Sequence, residues 1–62
     1  METKEGTIID KQNDKLSDNF SGEEHKFTNP ANISFQDGSI VIYVELVAGN
    51  DKIIRILRDV KK

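Results

Sequence analysis

A chain of 62 residues with no cysteine and a formal charge of −2 holds one domain at most and has neither a disulfide nor a thiolate metal cluster to staple it. Chains of this length bury only about 60% of the surface their unfolded form exposes, so stability is marginal and self-association is the expected remedy. The mild charge argues against a nucleic-acid mimic and against a generic basic nucleic-acid binder alike. With no basic and apolar leader, and no run near the roughly 18 apolar residues that span a bilayer, a cytoplasmic protein without a membrane partner is expected.

Charge is polarised along the chain. Residues 1–27 carry seven acids against four lysines, a balance of −3, whereas residues 51–62 carry Lys52, Arg55, Arg58, Lys61 and Lys62 against Asp51 and Asp59, a balance of +3. In the acidic part the only large apolar residues before Phe27, apart from Met1, are Ile8, Ile9, Leu16 and Phe20. So few apolar groups offset backbone ordering poorly, at about 1–2 kcal/mol per residue, so residues 1–27 read as a polar, largely disordered arm with one short strand at 7–9. Asp10, Asp14 and Asp18 would stack like charges at four-residue spacing, which disfavours a helix there.

Asn29-Pro30 marks a turn and the expected domain boundary, because the residue before proline is pushed out of the helical region. Beyond it the apolar residues concentrate, and residues 28–62 read as a small β domain. Asp37-Gly38 suits a two-residue hairpin turn joining strands at about 33–36 and 39–47. In that register Ile33, Phe35, Ile40, Ile42, Val44 and Leu46 share a core face, and Val41, Tyr43, Glu45 and Val47 lie on a second, mixed face. A Gly49-Asn50 turn of type II′ leads to a third strand at about 52–59, opposing Leu46 with Ile53, Tyr43 with Ile56 and Ile42 with Leu57. The alternative is a ββα fold, with a helix over 51–61 presenting Ile53, Ile56, Leu57 and Val60 as a stripe. Isoleucine and valine predominate in this segment, which favours the strand and a mainly β antiparallel hairpin or meander.

Chemistry is sparse. His25 is the only histidine, too few for a zinc site in a chain without cysteine, and the acids lie where nothing desolvates them. The four glycines are scattered, so no phosphate-cradling loop is present, and no serine stands in a nucleophile elbow. Asn19-Phe20-Ser21 and Asn32-Ile33-Ser34 match the glycosylation acceptor pattern, which has no meaning in a cytoplasmic chain. Neither catalysis nor a metal or cofactor is expected.

What remains is binding. The residues a core does not need are Val41 and Tyr43 as anchors on the second face, with Glu45, Arg55 and Arg58 as rim charges. They suit a protein-interaction module, such as an accessory regulator or inhibitor of the phage type acting on a host protein, and a homodimer. A second reading is a small nucleic-acid-binding regulator that sets Lys52, Arg55, Arg58, Lys61 and Lys62 against phosphates. In a regular strand Arg55 would face away from Lys52 and Arg58, which splits the patch. A third is a structural subunit of a homo-oligomeric assembly.

Overall fold

The computed structural model describes residues 2–60, so Lys61 and Lys62 lie outside the described residues. Alternating and β-branched stretches separated by turn residues fold as strands throughout: β1 (Thr3–Asp10), β2 (Lys15–Asp18), β3 (Glu24–Lys26), β4 (Ile40–Ala48) and β5 (Asp51–Asp59). They form one sheet in the order β3-β2-β1-β4-β5 with every neighbouring pair antiparallel. Three consecutive strands followed by a fourth that returns beside the first is the Greek-key arrangement. Thr28, just past β3, meets Arg55 of β5 in a parallel bridge, its amide donating to the Ile54 carbonyl at 2.8 Å and its carbonyl accepting from the Ile56 amide at 3.1 Å. That bridge curls the sheet into a partly open barrel.

The mainly β expectation is met, and the C-terminal segment is the strand rather than the helix. Leu46 opposes Ile53 and Tyr43 opposes Ile56 as the turn predicts. Gly49 has φ of 64° and Asn50 is not among the residues of positive φ, which is the type II′ pattern.

The flexible arm is replaced by structure, for β1 to β3 occupy most of residues 3–26. Counting large apolar residues missed the reason. Ile8 and Leu16 oppose each other across β1 and β2, and both are fully buried against Val41, Tyr43, Ile54 and Ile56. A few inward side chains thus complete a core that the C-terminal half leaves uncovered on one side. The proposed boundary at residue 27 also cuts through that core, since Phe27 packs edge-on to Phe35 with ring centroids 5.5 Å apart.

Residues 33–36 do not form a strand. They belong to a cap over the barrel, in which Asn29 clamps Ile33 through two side-chain hydrogen bonds of 2.9 Å, and Phe35 and Ile33 join the core. The Asp37-Gly38 turn forms, with Gly38 at φ of 90°, but it docks on β1: the Gly38 amide donates to the Ile8 carbonyl at 2.7 Å and the Ile8 amide to the Ser39 carbonyl at 2.8 Å.

The faces of β4 are inverted relative to the sequence reading. Val41 and Tyr43 point inward and are 0% exposed, while Ile40, Ile42 and Leu46 lie half-buried on the outside; of the β4 residues expected in the core, Val44 alone is buried, at 2% exposed. Alternation alone cannot say which face is inner when both are apolar. The choice is made by β1, whose Gly6 opposes Val41 and leaves room for the Tyr43 ring. A Cβ at Gly6 would stand 3.0 Å from Tyr43 Cε1 and 3.1 Å from Leu16 Cδ1.

Two bulges adjust the strands. Ile9 is the extra residue of β1 and Leu57 that of β5. After Leu57 the pleat changes phase, so Arg58 opposes Ile42 on the outside and Asp59 turns inward beside Val41.

Candidate functional site

Short connections place the two ends of the barrel differently. The β2–β3 turn, residues 19–23, is built around Asp18, the last residue of β2, which the inward phase of Leu16 carries into the barrel, where it is 6% exposed. Its Oδ2 accepts a hydrogen bond from the Tyr43 hydroxyl, and its Oδ1 accepts from the amides of Phe20 at 2.7 Å and Ser21 at 2.8 Å. The main chain closes the same turn: the Asp18 amide donates to the Glu23 carbonyl and the Gly22 amide to the Asp18 carbonyl, each at 2.8 Å. Gly22, at φ of 78°, supplies the left-handed residue this path needs.

Electrostatics follow from these contacts. Donation from the Tyr43 hydroxyl, and then from the Ser21 amide, holds the Asp18 carboxyl at about 2, below its ordinary value. Burial, with the Asp18 carboxylate beside it, pushes the Tyr43 phenol up. The pair is therefore a carboxylate accepting from a neutral phenol, and it holds its charge state across the neutral range. Such a pair locks a turn rather than moving a proton.

The side chain displayed by the locked turn is Phe20, which is 101% exposed. Asn19 braces it against the outside of β1: its amide donates to the Glu5 carbonyl at 2.9 Å, its Nδ2 to Glu5 Oε1 at 3.1 Å, and its Oδ1 accepts from the Thr7 hydroxyl at 2.6 Å. Between the turn and Thr3, Lys4 and Glu5 lies an open hollow of about 500 Å³. His25 tucks below, its Nε2 3.7 Å from Glu23 Oε2 and its ring 6.2 Å from that of Tyr43.

The residues expected to bind are dispersed. Val41 and Tyr43 are core, and Tyr43 acts on the surface only through Asp18. Glu45 is half-buried and pairs with Lys4 at 3.8 Å. Arg55 and Arg58 are exposed, and the Leu57 bulge brings both to the outer face, opposite Val44 and Ile42. Lys52 stands apart, opposite Val47 near the β4–β5 turn. Among the described residues no three His, Cys, Asp or Glu side chains converge as a metal site, and no helix is long and apolar enough to cross a membrane.

Sequence reasoning missed Asp18 and Phe20. Their signal was present in Asp18-Asn19-Phe20-Ser21-Gly22, where an aspartate precedes a serine and a glycine at the spacing of a side-chain-capped turn. An aromatic residue in the middle of such a turn has no core to enter. No protein-family model, curated protein or solved structure matches the chain.

Proposed function

We propose that the chain is a small protein-interaction module, without catalytic chemistry of its own, that docks through Phe20. The observation that carries this reading is the combination at one turn: a fully exposed phenylalanine on a backbone fixed by a buried carboxylate. Rigid aromatic anchors dominate binding energy because they bring large apolar area and have little conformational freedom left to lose. Glu5 and Lys4 line the hollow beside the tip, so the complementary surface is apolar with polar neighbours of both signs. A module of this kind suits an accessory regulator or inhibitor acting in the cytoplasm.

A second reading, nucleic-acid binding, is favoured by one observation, the alignment of Arg55 and Arg58 on a single face by the Leu57 bulge. Partly open five-stranded Greek-key barrels of the OB type bind oligonucleotides on the β2–β3 face and adjoining loops. Here that face carries Lys15, Ser17, Glu24 and Lys26 with no aromatic ring to stack on bases. The protein reading therefore ranks first.

Affinity capture with the intact chain and with Phe20→Ser, each with and without nuclease, separates the two. Retention of a protein after nuclease, lost with Phe20→Ser, supports docking through Phe20. Prey that disappears with nuclease, or that Phe20→Ser retains fully, overturns it.

A further inference from the structure

β1 outruns its neighbour on one side. Its pairing with β2 ends where Gly6 opposes Asp18 and the chain leaves into the turn, whereas its pairing with β4 continues to Thr3 opposite Val44. Amides and carbonyls alternate in direction along a strand. The Ile8 amide donates to Ser39 and its carbonyl accepts from Gly38, so Ile8, Gly6 and Lys4 turn these groups toward β4 and the turn before it. Thr7, Glu5 and Thr3 therefore turn theirs the other way, where Thr7 meets Ser17 of β2 and the Glu5 carbonyl accepts from the Asn19 amide at 2.9 Å. Among the described residues nothing on that side meets the Thr3 amide and carbonyl or the Glu5 amide.

These groups border the hollow of about 500 Å³, which has Thr3, Lys4 and Glu5 on one side and Asn19, Phe20 and Ser21 on the other. Its size is that of ordinary binding sites, roughly 300–1,000 Å³. The polar side chains beside it are already engaged, Asp18 with its three donors and Asn19 with Glu5 and Thr7. What the hollow offers is main-chain donors and an acceptor at strand spacing, with the Phe20 side chain next to them. Such an edge recognises another extended backbone. The edge of β5, by contrast, is met by Thr28 at Ile54 and Ile56. Charge adds a direction: Lys4 pairs with Glu45 on the face of Tyr43, while Glu5 shares the opposite face with Thr7 and Asn19.

We propose that the partner presents an extended strand, which adds to the open edge of β1 at Thr3 and Glu5, rests an apolar side chain on Phe20, and sets a base toward Glu5 and an acid toward Lys4. This rests on the reading of Phe20 as a docking anchor and gives the partner its form.

The test uses the intact chain as bait for a phage-displayed library of random dodecapeptides. The most enriched peptide is synthesised unmodified and in two forms N-methylated at alternate residues, one in each phase. In a strand paired on one side only, one phase blocks the bonds to β1 and the other faces solvent. The unmodified peptide slows hydrogen exchange at the Thr3 and Glu5 amides, and one N-methylated phase binds at least about tenfold more weakly than the other. Thr3→Pro removes a donor that the fold does not use and also weakens binding by about tenfold, with the β-sheet circular dichroism retained. Failure to enrich any peptide, equal affinity of the two N-methylated phases, or unslowed Thr3 and Glu5 amides overturns the added strand. If the two phases bind equally but Phe20→Ser abolishes binding, the docking reading stands and only the strand falls. A peptide bound equally by Phe20→Ser and the intact chain overturns the anchor itself.

Discussion

A carboxylate taken into a barrel costs stability unless its oxygens are met, and Asp18 has three donors, from Tyr43, Phe20 and Ser21. Tyr43→Phe removes one donor without emptying the core, so it lowers stability by about 1–3 kcal/mol in urea unfolding. The pH dependence has a defined sign. The folded Asp18 value of about 2 lies below the ordinary value of 3.8, so its contribution is complete above about pH 4 and is lost as pH falls toward 2. Asp18→Asn flattens that acid limb, and an unchanged limb would show that Asp18 does not carry it. Tyr43 has the complementary behaviour, with its contribution present below its unfolded value near 10 and lost as pH rises beyond it. At Gly6 the constraint is steric. Gly6→Ala places a methyl 3.0 Å from the Tyr43 ring and 3.1 Å from the Ser17 carbonyl oxygen, and costs about 1–3 kcal/mol by overpacking.

At the scale of elements, the β4–β5 hairpin was legible because its signals are local: Gly49-Asn50 for the turn, and Ile, Val and Tyr for the strands. The Leu57 bulge was not, since an extra residue leaves no mark in a run that is apolar on both faces, and the error moved Arg55 and Arg58 to opposite sides. The inner face of β4 was misread for a related reason. It is selected by Gly6, more than thirty residues away, through a pairing that no local pattern encodes. Asn29 shows the cap at its simplest, because its side chain imitates a neighbouring strand for Ile33. Asn29→Ala breaks both hydrogen bonds and destabilises the chain by about 1–3 kcal/mol, read as a lowered melting temperature. Stability equal to that of the intact chain would mean the cap is held by Phe35 and Ile33 alone.

Across the whole molecule, the two halves that looked like arm and domain share one core. Hydrogen exchange at the amides of Ile8, Asp18 and Phe27, which donate to Ser39, Glu23 and Asp14, is accordingly slowed to an extent comparable with β4 and β5. Fast exchange confined to residues 3–27 would restore the flexible arm. The polar composition of this half misleads because most of its polar groups lie outside the barrel or in turns, and its buried acid, Asp18, is satisfied by Tyr43, Phe20 and Ser21.

The same half carries the candidate site, and its anchor escaped notice as one phenylalanine in a polar stretch. The most direct measurement is a calorimetric titration of the captured protein partner against the intact chain and Phe20→Ser at matched pH and salt. The account predicts that Phe20→Ser weakens binding by at least about thirtyfold, the scale of a buried aromatic anchor, with the β-sheet spectrum unchanged. Equal affinity in the two proteins would contradict it and would move the interface away from the β2–β3 turn.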